Sequence, residues 1–213
     1  MKLYSYWRSG TSHRVRIALN LKNIECNQVP VNLRAWAHKE PEFLKLNPQG
    51  LLPLIVLDDG RTLSQSPAIL EYLEETHPDV PLLPSDPFAR GKVRALAAVI
   101  GCDTHPLNNM RVLKYLTDEL HTTQEDKKAW ISHWTVEAFG ALEHLLREQE
   151  TQGSFMWGDI PTLADCYLVP QIYSAERFGI NIAKFKRLQS INEACNGLEA
   201  FQKAHPAVQE DAQ

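Results

Sequence analysis

Residues 3–21 read Leu3-Tyr4-Ser5-Tyr6-Trp7-Arg8-Ser9-Gly10-Thr11-Ser12-His13-Arg14-Val15-Arg16-Ile17-Ala18-Leu19-Asn20-Leu21. Leu3 to Trp7 is aromatic-rich and reads as a β-strand. Ser12 to Leu21 sets Val15, Ile17, Ala18, Leu19 and Leu21 at helical spacing. Between them lies the turn Arg8-Ser9-Gly10-Thr11-Ser12, where three hydroxyls meet the unpaired N–H groups at the positive end of a helix dipole. Such a corner suits an anion, and a thiolate is an anion whose formation hydrogen bonds favour. Ser9, Thr11 and Ser12 also read as plain helix caps, and this segment alone favours that role.

Outward from this stretch the pattern keeps alternating. Gln28 to Val31 is a second short strand, placed at a sheet edge by Pro30. Residues 38–46 read as a polar helix ending before Asn47-Pro48. Leu54-Ile55-Val56-Leu57, a turn at Asp58-Asp59-Gly60, and Arg61-Thr62-Leu63 form a hairpin. Ser66 to Thr76 is a helix with Ser66 as its cap and Pro67 at its first position. The result is a small open sheet with helices packed on it. Leu52-Pro53, before the hairpin, suits a cis bond or an ordinary trans proline. Gln65-Ser66 forms a second donor cluster at a helix start, suited to a carboxylate or simply a cap.

Four prolines in residues 77–87 end this half and make a semi-rigid connector. Beyond it no strand signal occurs. Residues 88–117 and 124–149 read as long helices, the second with Trp130, Trp134, Ala138, Ala141 and Leu145 on one face. Thr162-Leu163-Ala164-Asp165 resembles a capping box, and shorter helices follow near 184–195 and 198–204. The domains are therefore 1–80, a linker at 81–87, and a helical domain at 88–213.

Composition narrows the function. With 213 residues, 44% hydrophobic and 23% charged, the chain is an ordinary globular protein rather than a disordered or coiled-coil one. A net charge of -4 argues against a general nucleic-acid binder. The longest apolar run, Ala95 to Cys102, is too short for a membrane span, and Arg8 interrupts any signal peptide. Cys26, Cys102, Cys166 and Cys195 form no Cys-x-x-Cys pair and read as reduced thiols, so the expected address is cytoplasmic. The dinucleotide, P-loop, serine-elbow and zinc-helix motifs are missing.

The full set of motifs resembles the zeta class of the glutathione transferase superfamily, with its maleylacetoacetate and maleylpyruvate isomerases. The matching segments are Tyr4 to Leu19, Leu46-Asn47-Pro48, Gln65 to Ile69, Glu71 to Glu75, Gly101 to Asn109 and Thr162 to Gln171. The resemblance covers nearly the whole chain. It implies a thioredoxin-like N-terminal domain, an all-helical C-terminal domain, a homodimer, and glutathione as cofactor. By position it implies that Ser9 and Thr11 face the glutathione sulfur, that Gly10 between them helps bind the cofactor, and that Leu52, before a cis Pro53, pairs with the cysteinyl part. Gln65 and Ser66 would hold the γ-glutamyl carboxylate, and His38 the glycyl end. The implied reaction turns the cis double bond of a dicarboxylic maleyl diketo acid trans, by addition and later expulsion of the glutathione thiolate. Arg is the fitted residue for a carboxylate. Arg8, Arg111 and Arg177, with Asn108, are the candidate substrate contacts, and Arg8, Ser9 and Thr11 the candidate catalytic groups. His105, Trp130 and Trp134 read more simply as structural.

Two departures matter. The family's usual Ser-Ser-Cys is here Ser9-Gly10-Thr11, so no protein thiol serves in that loop and either hydroxyl is open as the sulfur contact. Gly50-Leu51 replaces a common Lys-Gln, removing one polar contact to the glycyl end. A general transferase that conjugates electrophiles and a non-catalytic glutathione-binding scaffold are the competing readings. A glutaredoxin-like oxidoreductase is disfavoured by Thr11.

Overall fold

Four strands, β1 (Lys2–Ser5), β2 (Asn27–Pro30), β3 (Leu54–Val56) and β4 (Thr62–Ser64), form one sheet in the order β2-β1-β3-β4. β2 runs parallel to β1, while β3 is antiparallel to both β1 and β4. Pro30 lies on the outer strand, where its missing N–H costs no ladder bond. This is the computed structural model of the chain, and it describes residues 1–212. Contacts divide the chain into two units, Met1–Leu82 with Asn196–Gln213, and Leu83–Cys195.

In the first unit, α1 (Gly10–Leu21) packs on α3 (Ser66–Thr76) and on α9 (Glu199–Ala204). Val15, Ile17, Ala18, Ile69, Leu70 and Leu73 are buried, as are Leu3 and Ile55 of the sheet. A second cluster, Tyr6, Trp7, Val31, Phe43, Leu52 and Leu54, is buried with Ala212 packed against it. Lys22 and Glu74 form a buried ion pair at 2.8 Å. The Lys22 ammonium also donates to the carbonyls of His77 and Val80, and Glu74 accepts the Leu82 N–H at 2.9 Å. The proline-rich segment is thereby tied to two helix ends.

Several boundaries differ from the sequence reading. β1 stops at Ser5, because Tyr6 O accepts the Ser9 N–H at 2.9 Å and turns the chain. α1 begins at Gly10, with Ser9 as N-cap. Residues 38–46 are not one helix: a 3-10 turn at Ala37–Lys39 and α2 (Pro41–Leu46) are separated by extended Glu40. Pro41 holds Glu40 out of the helical region and opens the next helix. In α3 the cap is Gln65, and Ser66 is already helical. The sequence reading runs the second domain to residue 213, whereas α9 and the tail group with the first unit, because α9 packs on α1.

The second unit is helical: α4 (Pro87–Gly101), α5 (Met110–Asp118), α6 (Gln124–Glu148), α7 (Leu163–Arg177) and α8 (Lys186–Asn196), the last ending at the unit boundary. The single helix expected over 88–117 is two, broken by turns at 102–109. α4 packs on α7 and α6, and α5 on α6. At Gly101 a Cβ would lie 2.7 Å from the Tyr167 ring, so only glycine admits that approach. The Thr162–Asp165 capping box is present, with Thr162 N–H and hydroxyl donating to the carboxylate at 2.7 and 2.9 Å. Met156 N–H and the Cys195 thiol also donate to it. Burial pushes the Asp165 carboxyl above its ordinary range against these four bonds.

Candidate active site

The corner that opens α1 carries a set of unused donors. Ser9 Oγ accepts the Ser12 N–H at 3.3 Å and shares a 3.0 Å hydrogen bond with Thr11 Oγ1. Thr11 Oγ1 donates to the Leu52 carbonyl at 3.0 Å. A hydroxyl has one proton, so Ser9 is the donor in the Ser9–Thr11 bond. Among the described residues, the N–H groups of Gly10, Thr11 and Leu52 donate to no protein group. Ser12, expected beside Ser9 and Thr11, is fully buried, and its hydroxyl has no hydrogen-bond partner among the described residues. Leu52 precedes a cis Pro53.

Arg8 is half-buried, its guanidinium 5.1 Å from the Trp7 ring centroid, with no ion pair among the described residues. Trp7 itself is buried, and its N–H donates to Asp211 Oδ2 at 3.0 Å.

A second donor set sits at the start of α3. Gln65 has φ 72° and ψ 115°, backbone space that belongs almost only to glycine, and such outliers cluster where a chain meets a ligand. Its Nε2 donates to Gln49 Oε1 at 2.5 Å. Ser66 is buried, and its hydroxyl accepts from Arg14 Nη1 at 3.4 Å. The 36–39 segment lies against Gly50, whose φ of 58° and approach to His38 O exclude a side chain. His38 is buried and stacked on Trp36 at 5.3 Å, with its Nδ1 lacking a partner. Burial, and then the Lys39 charge, lower its pKa, so it presents a neutral ring.

The other candidates belong to the second unit. Asn108 Nδ2 donates to Thr135 at 3.4 Å, leaving its Oδ1 buried and unpartnered, a group that calls for a ligand or water. Arg111 is exposed in the first turn of α5, where its N–H is capped by Asn109. Arg177 ends α7, exposed, with its guanidinium 6.0 and 5.4 Å from the Tyr173 and Phe178 rings. Trp130 donates to Leu107 O at 3.1 Å and packs edge-on with Trp134 at 5.6 Å.

Three polar residues at these places escaped the sequence reading. Arg14 and Gln49 are held by residues 52 and 16 positions away, and Asp211 by one 204 away. Nothing local marks them.

The model for the glutathione S-transferase N-terminal domain matches residues 8–76. A maleylpyruvate isomerase from Ralstonia sp. is 47% identical over 213 residues, covering 100% of both chains. A holo maleylpyruvate isomerase structure, described as a bacterial zeta-class glutathione transferase, superposes with a TM-score of 0.97 at 46% identity over 100% of both chains. A maleylacetoacetate isomerase from Methylobacterium extorquens AM1, solved with bound malonate and glutathione, gives 0.97 at 39% identity, again over 100% of both. With a thioredoxin-like sheet unit, a helical unit, and full-length similarity at this level, the chain belongs to the zeta class of the glutathione transferase family.

Proposed function

We propose that the chain is a glutathione-dependent cis–trans isomerase acting on a maleyl diketo acid, maleylpyruvate or maleylacetoacetate. The observation that carries this reading is the Ser9–Thr11–Leu52 hydrogen-bond chain beside three unused backbone N–H groups. That corner fits a peptide thiol: Leu52 offers a strand-like N–H and carbonyl, and the α1 terminus offers donors to a negative sulfur. Gln65 and Ser66 would hold the γ-glutamyl carboxylate and His38 the glycyl end. When bound, glutathione supplies the sulfur nucleophile whose reversible addition frees the conjugated double bond to rotate.

Three of the chain's four thiols are held back from that role, and the fourth, Cys102, is exposed in the second unit, away from the α1 corner in sequence. Cys26 is pushed up to about 11, mainly by burial, and Cys166 and Cys195 are buried. Thr11 spends its proton on Leu52 O, whereas Ser9 gives its proton to Thr11 Oγ1 and exchanges that bond for one to a thiolate by one side-chain rotation. We therefore assign Ser9 as the donor that favours the ionised sulfur and Thr11 as the group that orients it. Arg8, Arg111 and Arg177 are assigned to the two substrate carboxylates and the charge that builds on the ketone oxygen, with Asn108 as a polar contact. A second copy of this chain is the proposed partner, checked by mass in solution.

The decisive experiment follows the ultraviolet change of maleylpyruvate and of maleylacetoacetate with and without glutathione. Conversion that requires glutathione and is lost in Arg177→Ala is expected. No conversion of either acid by a protein that still binds glutathione would return the chain to the transferase or scaffold readings.

A further inference from the structure

The residue before Arg8 is gripped from both sides by groups far along the chain. Tyr6 O accepts the Ser9 N–H at 2.9 Å, so Trp7 and Arg8 are the central pair of a tight turn. In such a turn the N–H of the first central residue faces away from the turn's own bond and needs an outside acceptor. Trp7 is buried, so water does not serve. Asp211 Oδ2 accepts that N–H at 3.0 Å. On the opposite side, Arg16 Nη2 donates to Trp7 O at 2.9 Å.

Arg16 also links this turn to the tail, because its Nε donates to Ala204 O at 3.1 Å. From there the chain to Asp211 is itself fixed. Gln209 Nε2 donates to Lys203 O and His205 O, both at 2.9 Å, and Gln209 Oε1 accepts from Gln28 Nε2 at 3.2 Å. Ala212 packs against the cluster that contains Tyr6, Trp7 and Leu52. The tail thus forms a strap whose far end carries one carboxylate to one buried N–H.

We infer that Asp211 is a positioning residue for the thiol corner: by accepting the Trp7 N–H it holds the turn that presents Arg8 and Ser9. The inference rests on the reading of that corner as the glutathione site. Removing the carboxylate orphans a buried donor, and the turn then relaxes toward water at the expense of the Ser9 geometry.

The test uses the full chain, with glutathione as probe. Asp211→Ala should weaken glutathione binding by calorimetry roughly tenfold, the scale of one lost charge-assisted bond. It should also move the thiolate absorbance of bound glutathione to higher pH. Asp211→Asn, which keeps an acceptor oxygen of the same shape, should recover most of both, and Glu210→Ala should change neither. Unchanged binding in Asp211→Ala, or a loss shared equally by Asp211→Asn, overturns the inference. Because the readout is binding and thiol ionisation, a protein that binds glutathione normally but isomerises nothing overturns the proposed reaction and leaves this result intact.

Discussion

Ser9 and Thr11 share a hydrogen bond, yet they are held differently, and this makes their roles separable. Ser9→Ala removes the hydroxyl proposed to turn toward the thiolate, and losing one such donor costs on the order of 100-fold in kcat. It also removes a helix N-cap worth about 1 kcal/mol, which a parallel denaturation curve would register. Thr11→Val leaves Ser9 in place and should act mainly on KM for glutathione. Steady-state kinetics with the two variants decides the assignment, and the reverse ranking would reject it. The sequence displayed both hydroxyls but not how differently they are held, because that difference depends on Leu52 O, 41 positions away. His13 shows the same limit. It reads as one polar residue in a helix, yet it is buried, and burial, then Arg16, then His205, hold its pKa well below the usual histidine value.

At the scale of elements, local chemistry was legible at some caps and prolines and missed at others, among them Pro41, Ser66 and Asn109. The Thr162–Asp165 box, the hairpin around Gly60 and the edge position of the Pro30 strand all follow from such marks. The inward face of α6 did not. Its core side is Ile131, Thr135, Ala138, Phe139, Leu142 and Leu146, while Ala141 and Leu145 are exposed. Two apolar stripes one residue out of register run along that helix, and only its packing on α4 and α5 selects between them. The Lys22–Glu74 pair was equally silent, since buried and exposed charges look alike in sequence. Because it sits between two helix ends and the connector, Glu74→Ala should destabilise the fold by about 3–5 kcal/mol, the usual cost of stranding a buried charge. A double change of Lys22→Met with Glu74→Leu should recover much of that. Urea denaturation compares them, and a loss under about 1 kcal/mol, the surface-pair value, would contradict the structural role.

For the whole molecule, the prolines of 77–87 marked a division that the contacts place at Leu82–Leu83. The homecoming of residues 196–213 to the first unit was not legible, because α9 reads like any short helix and its partner α1 lies at the other end of the chain. That return has a consequence for biosynthesis. A ribosome makes the sheet, α1 and α3 first, and α9 and Asp211 only after the helical unit, so the first unit stays unfinished until that later segment has been made. The helical unit, continuous from Leu83 to Cys195, is complete before then. Residues 1–82 made alone should therefore unfold at lower urea than the same unit in the full chain, and fusing 196–213 behind them should raise the midpoint again. Equal midpoints with and without that segment would show the early unit self-sufficient; otherwise the order of folding runs against the order of synthesis.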